Sequence, residues 1–236
     1  MTQPYYSDDR VTLYHGDCRE VLPTLDPADL LLTDPPYGIV AGAAVVRKST
    51  TVVEDWATVG HNAEVSGWRA LVNLRPDAWV VEFGAMAAND FLTIRHRDVG
   101  WSPANVYALV KQAPPPTPRP GFASAVELAI VSRVGKPQWQ GGGYVPNRWI
   151  GLTPNRNGSS LGHPTQKPME PMQALTLALS PAGGIVLDPF AGSGTTLIAA
   201  RDQGRRAVGI EVDEAYCEMI ARRLDQCVLD FGGESA

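Results

Sequence analysis

Four consecutive residues, Asp34-Pro35-Pro36-Tyr37, place a carboxylate, two prolines and an aromatic ring side by side. The prolines fix φ at two positions and remove two N–H donors. Backbone carbonyls are then left as acceptors beside the Asp34 carboxylate. A rigid set of acceptors under a flat ring suits an amino group on an aromatic base. The plainer alternative is a strand followed by a proline turn.

A second group lies far along the chain. Asp188-Pro189-Phe190-Ala191-Gly192-Ser193-Gly194-Thr195-Thr196 follows the apolar run Gly184-Ile185-Val186-Leu187. This pattern predicts a strand, a glycine-rich turn and a helix start, where the backbone can approach a ligand closely. No lysine stands where a phosphate loop requires one, and Leu197 occupies the third glycine position of a dinucleotide fingerprint. A nucleoside without a pyrophosphate is favoured. Glu211 ends the next apolar run, Ala207-Val208-Gly209-Ile210, where an acid accepts hydrogen bonds from a ribose diol. A helix N-terminus also receives a carboxylate. Adenosine joined to an amino acid describes S-adenosylmethionine.

The elements that must carry these groups can be read around them. Asp29 to Thr33 reads as a buried strand delivering Asp34 at its carboxyl edge, where ligands bind in open α/β sheets. Val11 to His15 is a strand ending at Gly16-Asp17, and Cys18 to Leu25 a short helix. Trp68 to Leu74 is helical in pattern and closed by Arg75-Pro76. Ala78 to Gly84 is a strand and Ala85 to Arg95 a helix. Asn105 to Val110 and Ala125 to Val134 are strands without a helix between them, so they pair antiparallel at one edge. Met172 to Leu179 and Ala215 to Leu224 are helices. Alternating strands and helices predict a mostly parallel sheet covered on both faces. Residues 38–66 have no clean period and read as a mobile loop over the site, with Arg47 and Lys48 at its tip. The proline-rich run 113–120 reads as a stiff connector rather than a polyproline ligand. Residues 135–162 are rich in Gly, Asn and Gln, interleaved with Trp139, Tyr144, Trp149, Arg148 and Arg156. That mixture suits phosphate contacts, stacking and base-edge hydrogen bonds, although an irregular loop would look similar.

Composition narrows the class. The chain has 236 residues, 44% hydrophobic and 19% charged, which is globular and long enough for a full core. Its longest apolar runs are strand-length, so no membrane span is expected, and the polar N-terminus points to a cytosolic protein. Three cysteines without a CxxC spacing support neither a disulfide framework nor a metal site. The net charge of −5 argues mildly against a polyanionic partner. Its distribution argues the other way. Between Pro103 and Met169 stand Lys111, Arg119, Arg133, Lys136, Arg148, Arg156 and Lys167, against a single acid, Glu127. One face made for a polyanion would follow from such asymmetry, or a basic surface without a partner.

These motifs resemble the DNA amino-methyltransferases, which methylate N6 of adenine or N4 of cytosine. Asp34 to Tyr37 matches the catalytic motif, Asp188 to Gly194 the cofactor motif, and His163-Pro164-Thr165-Gln166-Lys167-Pro168 the segment before it. The order, catalytic half first, resembles the β class. The resemblance implies a single domain over residues 1–236, with 135–162 as a small target-recognition insertion. It implies an α/β, circularly permuted Rossmann-like S-adenosylmethionine-dependent methyltransferase fold, mostly parallel with an antiparallel edge. Asp34, Pro35, Pro36 and Tyr37 are then the catalytic set. Asp17, Cys18, Asp34, His163, Thr165, Lys167, Asp188, Phe190, Gly192, Ser193, Gly194, Thr195, Glu211 and Val212 would surround S-adenosylmethionine. Of these, Asp17 would approach the adenine edge, and Thr165 and Lys167 the methionine carboxylate. Arg47, Lys48, Lys136, Trp139, Arg148 and Arg156 are the candidate contacts to double-stranded DNA. No metal is implied, a homodimer is common in such relatives, and the setting would be the cytoplasm of a bacterium or of a phage host. Asp rather than Ser at position 34 favours adenine. N4-cytosine, an RNA or protein-glutamine acceptor, and a non-catalytic DNA-binding protein are the alternatives. No Pro-Cys nucleophile is present, which argues against a C5-cytosine enzyme.

Overall fold

A computed structural model describes residues 3–36, 67–84, 89–114, 125–153 and 166–229. In the first part of the chain the elements are β1 (Tyr6–Ser7), β2 (Val11–His15), α1 (Cys18–Val21), β3 (Ala28–Thr33), β4 (Leu74–Gly84) and α2 (Asn89–Asp98). Then come β5 (Ser102–Lys111), β6 (Val126–Arg133), β7 (Arg148–Gly151), α3 (Met169–Leu179), β8 (Ile185–Asp188), α4 (Thr195–Asp202), β9 (Arg206–Glu211) and α5 (Glu214–Leu229). The strands form one sheet in the order β1-β2-β9-β8-β3-β4-β6-β5-β7.

From β2 through β4 every neighbour pair is parallel. Parallel strands covered on both faces need continuous apolar runs. The three leucines of β3 supply one. Leu30 and Leu32 point into the core shared with Val81, Met172 and Leu197, and Leu31 points into the opposite core with Val21, Trp68 and Leu187. All three are fully buried, worth roughly 2 kcal/mol each in transfer free energy. The expected antiparallel pairing lies toward one edge, where β6 pairs antiparallel with both β4 and β5, while the edge strand β7 runs parallel to β5.

The strand order places the site. The unit β8–α4–β9 runs outward on one side and β3–β4 on the other, so the order reverses between β8 and β3. At such a reversal the helices diverge and leave a crevice at the carboxyl ends of the strands. Asp188 ends β8 and Asp34 follows β3, so both motifs arrive at this crevice.

Two expectations need correction. Trp68 to Leu74 is not one helix. A 3-10 turn covers Trp68–Leu71, and β4 starts at Leu74 with Pro76 inside it. The ladder with β3 jumps from Ala28↔Leu74 to Leu30↔Trp79, so Pro76 sits in an irregularity where its missing N–H breaks no sheet bond. Residues 148–151, expected as loop, form β7 parallel to β5. Tyr6–Ser7 adds a two-residue strand antiparallel to β2. The loop expected over 38–66, and most of the 113–120 connector, lie outside the described residues.

Candidate active site

The two strand ends at the reversal are tied directly. Thr33, the last residue of β3, donates its hydroxyl to Asp188 Oδ1 at 2.7 Å. Phe190 N–H donates to the same oxygen at 3.1 Å. Asp188 is buried, and burial pushes its carboxyl up to about 6 against the pull of Thr33, Thr196 and the Phe190 N–H. Asp188 therefore sets the shape of the turn, and its oxygens are already engaged by the protein.

After Asp188 the chain turns through Gly192 (φ 52°) and Gly194 (φ 75°), both left-handed. A side chain at Gly194 would also meet Ile220 of α5, 2.9 Å from its Cβ. Gly209 of β9 has a different reason: a Cβ there would lie 2.6 Å from Leu197, so its absence lets α4 sit close on the sheet. Gly192 N–H donates to Glu211 Oε2 at 2.7 Å, and Asp213 N–H to Oε1 at 3.0 Å. Burial raises the Glu211 carboxyl above the usual range, opposed by the N–H groups of Asp213, Gly192 and Val212. Ser193 and Thr195 share a hydroxyl contact at 3.1 Å inside the turn.

Across the β2–β9 pair, His15 lies opposite Glu211, which brings Asp17 to the neighbouring strand end. Asp17 caps α1 by accepting Arg19 N–H at 2.8 Å, and its ion pair with the Arg19 side chain holds its carboxyl low. Cys18 is buried in the core beside Leu22 and Leu31, and its thiol is pushed up to about 12 by burial, so the thiol is not a crevice group. Val212 is 61% exposed beside Glu211. Phe190 meets Trp68 edge-on, 5.1 Å between ring centroids.

On the β3 side, Pro35 is buried and Asp34 partly so. The Lys167 ammonium is ion-paired with Asp34 Oδ2 and lies 3.2 Å from Glu127 Oε2. It also sits 5.3 Å above the Phe83 ring. Lys111 holds the other Glu127 oxygen. This four-residue ion cluster is the part of the site that motif reading missed. Its one signal in the sequence is Glu127, the lone acid in a basic stretch.

Tyr37, Arg47, Lys48, Arg156, His163 and Thr165 lie outside the described residues. The remaining candidates separate. Arg148 pairs with Ala108, whose β6 partner Leu128 is level with Gly84, so Arg148 stands at the carboxyl end of the sheet with the site. Lys136 follows the far end of β6, and its backbone N–H binds Asp77 at the start of β4. Trp139 borders a groove with Trp79, Ala178 and Leu179. From Trp79 to Gly84, β4 spans about 17 Å, so Lys136 is remote from Asp34.

The crevice fits an adenosine-type cofactor by its acceptors and its shape. Glu211 and Asp17 are carboxylates at adjacent strand ends, Val212 offers an exposed apolar wall, and the Gly192–Gly194 turn admits close backbone approach. Among the described residues no three His, Cys, Asp or Glu side chains converge as a metal site would require.

A Rossmann-like sheet with a glycine turn facing a carboxylate, and a second carboxylate across the strand reversal, is the geometry of a nucleoside-cofactor site. The chain belongs to the DNA methylase family, whose model matches residues 28–222. Type II methyltransferase M.ScaI of Streptomyces caespitosus is 28% identical, over 95% of this chain and 84% of that one. DNA adenine methyltransferase YhdJ of Escherichia coli K12 is 52% identical over 63 residues, 27% of this chain and 21% of that one. The solved PvuII DNA methyltransferase, described as cytosine-N4-specific, shares the fold with a TM-score of 0.73 at 21% identity, covering 97% of this chain and 93% of that one.

Proposed function

We propose that this DNA methyltransferase moves a methyl group from S-adenosylmethionine to N6 of an adenine flipped out of duplex DNA. The meeting of Asp34 with the Asp188–Gly194 turn at one strand reversal carries the reading. When bound, S-adenosylmethionine supplies an electrophilic methyl on a sulfonium. Glu211 accepts the ribose hydroxyls, Asp17 the adenine amine, and Val212 and Phe190 flank the ring. Cys18, Ser193 and Thr195 serve through backbone and turn shape, and His163, Thr165 and Lys167 border the amino acid end.

The chemistry asked of the chain is small. The exocyclic amine is a poor nucleophile because its lone pair is delocalised into the ring. Asp34 and the Pro35 carbonyl accept its two N–H bonds and localise that pair on nitrogen. Tyr37 stacks on the extruded base. A nitrogen–carbon bond forms as the sulfur–carbon bond breaks, and the amine proton leaves to Asp34 or solvent. Positioning does most of the work.

Adenine is favoured by Asp at position 34 and by the YhdJ match. Arg148, Arg47, Lys48 and Arg156 contact phosphates, and the part of residues 135–162 around Arg148, at the carboxyl end of the sheet, reads the target. The enzyme works in the cytoplasm of a bacterium or of a phage host, a setting supported by its likeness to bacterial type II methyltransferases. Methyl transfer from labelled S-adenosylmethionine to unmethylated genomic DNA, followed by nucleoside analysis, tests the proposal. Label in N6-methyladenine is expected. Label in N4-methylcytosine would move the substrate by one base, and unlabelled DNA with bound cofactor would transfer the search to RNA and protein acceptors.

A further inference from the structure

The Lys167 ammonium occupies an oxygen of the carboxylate that the proposed reaction assigns to the target amine. An amine approaching Asp34 meets a neutralised acceptor. Simple departure of Lys167 would strand a charge, because its side chain is only 12% exposed, and an uncompensated buried charge costs several kcal/mol. A second acceptor lies within reach. Glu127 Oε2 is buried and lies 3.2 Å from the same ammonium, a looser ion pair than the one Lys167 makes with Asp34. Its sister oxygen is held by Lys111, which keeps the carboxylate ionised and its direction fixed. Burial disfavours that charge, but Lys167 and Lys111 outweigh it and hold the Glu127 carboxyl below the usual range. The four groups are neutral in sum, and they stay so if a neutral amine enters.

We propose that Glu127 is a positioning residue that receives the Lys167 ammonium when the target amine takes its place on Asp34. The exchange needs a shift on the order of 1 Å of a flexible four-carbon stem. It rests on the reading that Asp34 accepts the target amine.

The test is single-turnover methyl transfer at saturating cofactor, with S-adenosylmethionine affinity measured separately by titration. Glu127→Gln keeps the shape and removes the charge. Its transfer rate should fall at least tenfold while cofactor affinity stays within twofold, and Glu127→Asp should restore most of the rate. Lys167→Arg keeps the ion pairs but can bridge both carboxylates at once. It should also lose at least tenfold, although a purely structural ion pair would be preserved. Glu127→Gln or Lys167→Arg at the wild-type rate overturns the exchange, as does a loss that Glu127→Asp fails to reverse. A loss that follows cofactor affinity overturns it equally. Should Glu127→Gln not fold, Lys167→Arg decides. A wild-type chain that labels no DNA sinks the functional reading itself, whereas an active wild type with unaffected variants removes only the exchange.

Discussion

Asp34 and Glu211 both stand at carboxyl ends of the parallel strands, after β3 and at the end of β9, yet they are set up for different tasks. Asp34 is partly exposed and ion-paired with the Lys167 ammonium, so on the proposed function its carboxylate passes from that ammonium to an incoming amine. Glu211 is buried and anchored by two backbone N–H groups at 2.7 and 3.0 Å, so it presents a fixed direction to a cofactor. Asp34→Ala should therefore lower methyl transfer by about a hundredfold or more, the scale of losing one positioned polar group at a reacting centre, with cofactor affinity unchanged. Glu211→Gln should reverse the pattern. It should weaken S-adenosylmethionine binding by about tenfold, the worth of one hydrogen bond to a charged group, as read by calorimetric titration. Asp188 behaves differently again. Its carboxyl rises from 3.8 to about 6 through burial, so the folded state binds its proton more readily than the unfolded one. The group therefore opposes folding fully above pH 6, and the opposition is relieved as pH falls toward 4. The stability of wild type relative to Asp188→Asn should accordingly increase between pH 7 and pH 5 in urea titrations of both proteins.

At the scale of elements, a buried polar cluster joins four pieces that the apolar cores alone would not register. Glu82 of β4, fully buried, is ion-paired with Arg69 from the 3-10 turn and lies 3.0 Å from His96 Nε2 of α2. His96 Nδ1 in turn lies 2.8 Å from the Ser132 hydroxyl on β6. Burial works against the Glu82 charge, but His96 and Arg69 hold its carboxyl low. Removing one partner of a buried pair costs about 3–5 kcal/mol, so Glu82→Gln should lower the denaturation midpoint by a corresponding amount at pH 7. Because the folded-state value is depressed, this stabilisation is present above the unfolded value of 4.5 and lost as pH falls through the folded one. The gap between wild type and variant should close in that acid range. The cluster also marks the limit of what sequence reading reached. Strands β3, β8 and β9 were legible because burial on both faces leaves continuous apolar runs. β7 was not, because Arg148-Trp149-Ile150-Gly151 stands among glycines and asparagines and gains its strand form only from pairing with β5. The Lys167–Asp34 pair was hidden for the same reason, since its partners are 133 residues apart and meet only through the sheet.

Over the whole molecule, the charge asymmetry of the sequence divides into two uses. Lys111 and Lys167 look like surface cations in the count, but both are spent on Glu127 and Asp34, with side chains 16% and 12% exposed. The field that a polyanion meets is therefore weaker than the sequence suggests, and it depends on where the remaining cations stand. Arg148 is exposed at the carboxyl end of the sheet, level with the crevice, whereas Lys136 lies at the opposite end beside Asp77. On the proposed function, a duplex delivering a base to Asp34 would lie across the carboxyl end, which would bring Arg148 within reach of its phosphates. Each phosphate contact contributes close to one unit to the slope of log affinity against log salt. Arg148→Ala should thus weaken binding to random-sequence duplex DNA several-fold and flatten that slope by about 1. Lys136→Ala should change neither by as much. Fluorescence anisotropy between 50 and 200 mM salt, roughly the range over which such slopes are resolved, measures both variants. Equal losses from the two substitutions would mean that DNA wraps the far end of the sheet as well, and that the acidic remainder of the chain leaves more of its surface to nucleic acid than its net charge implies.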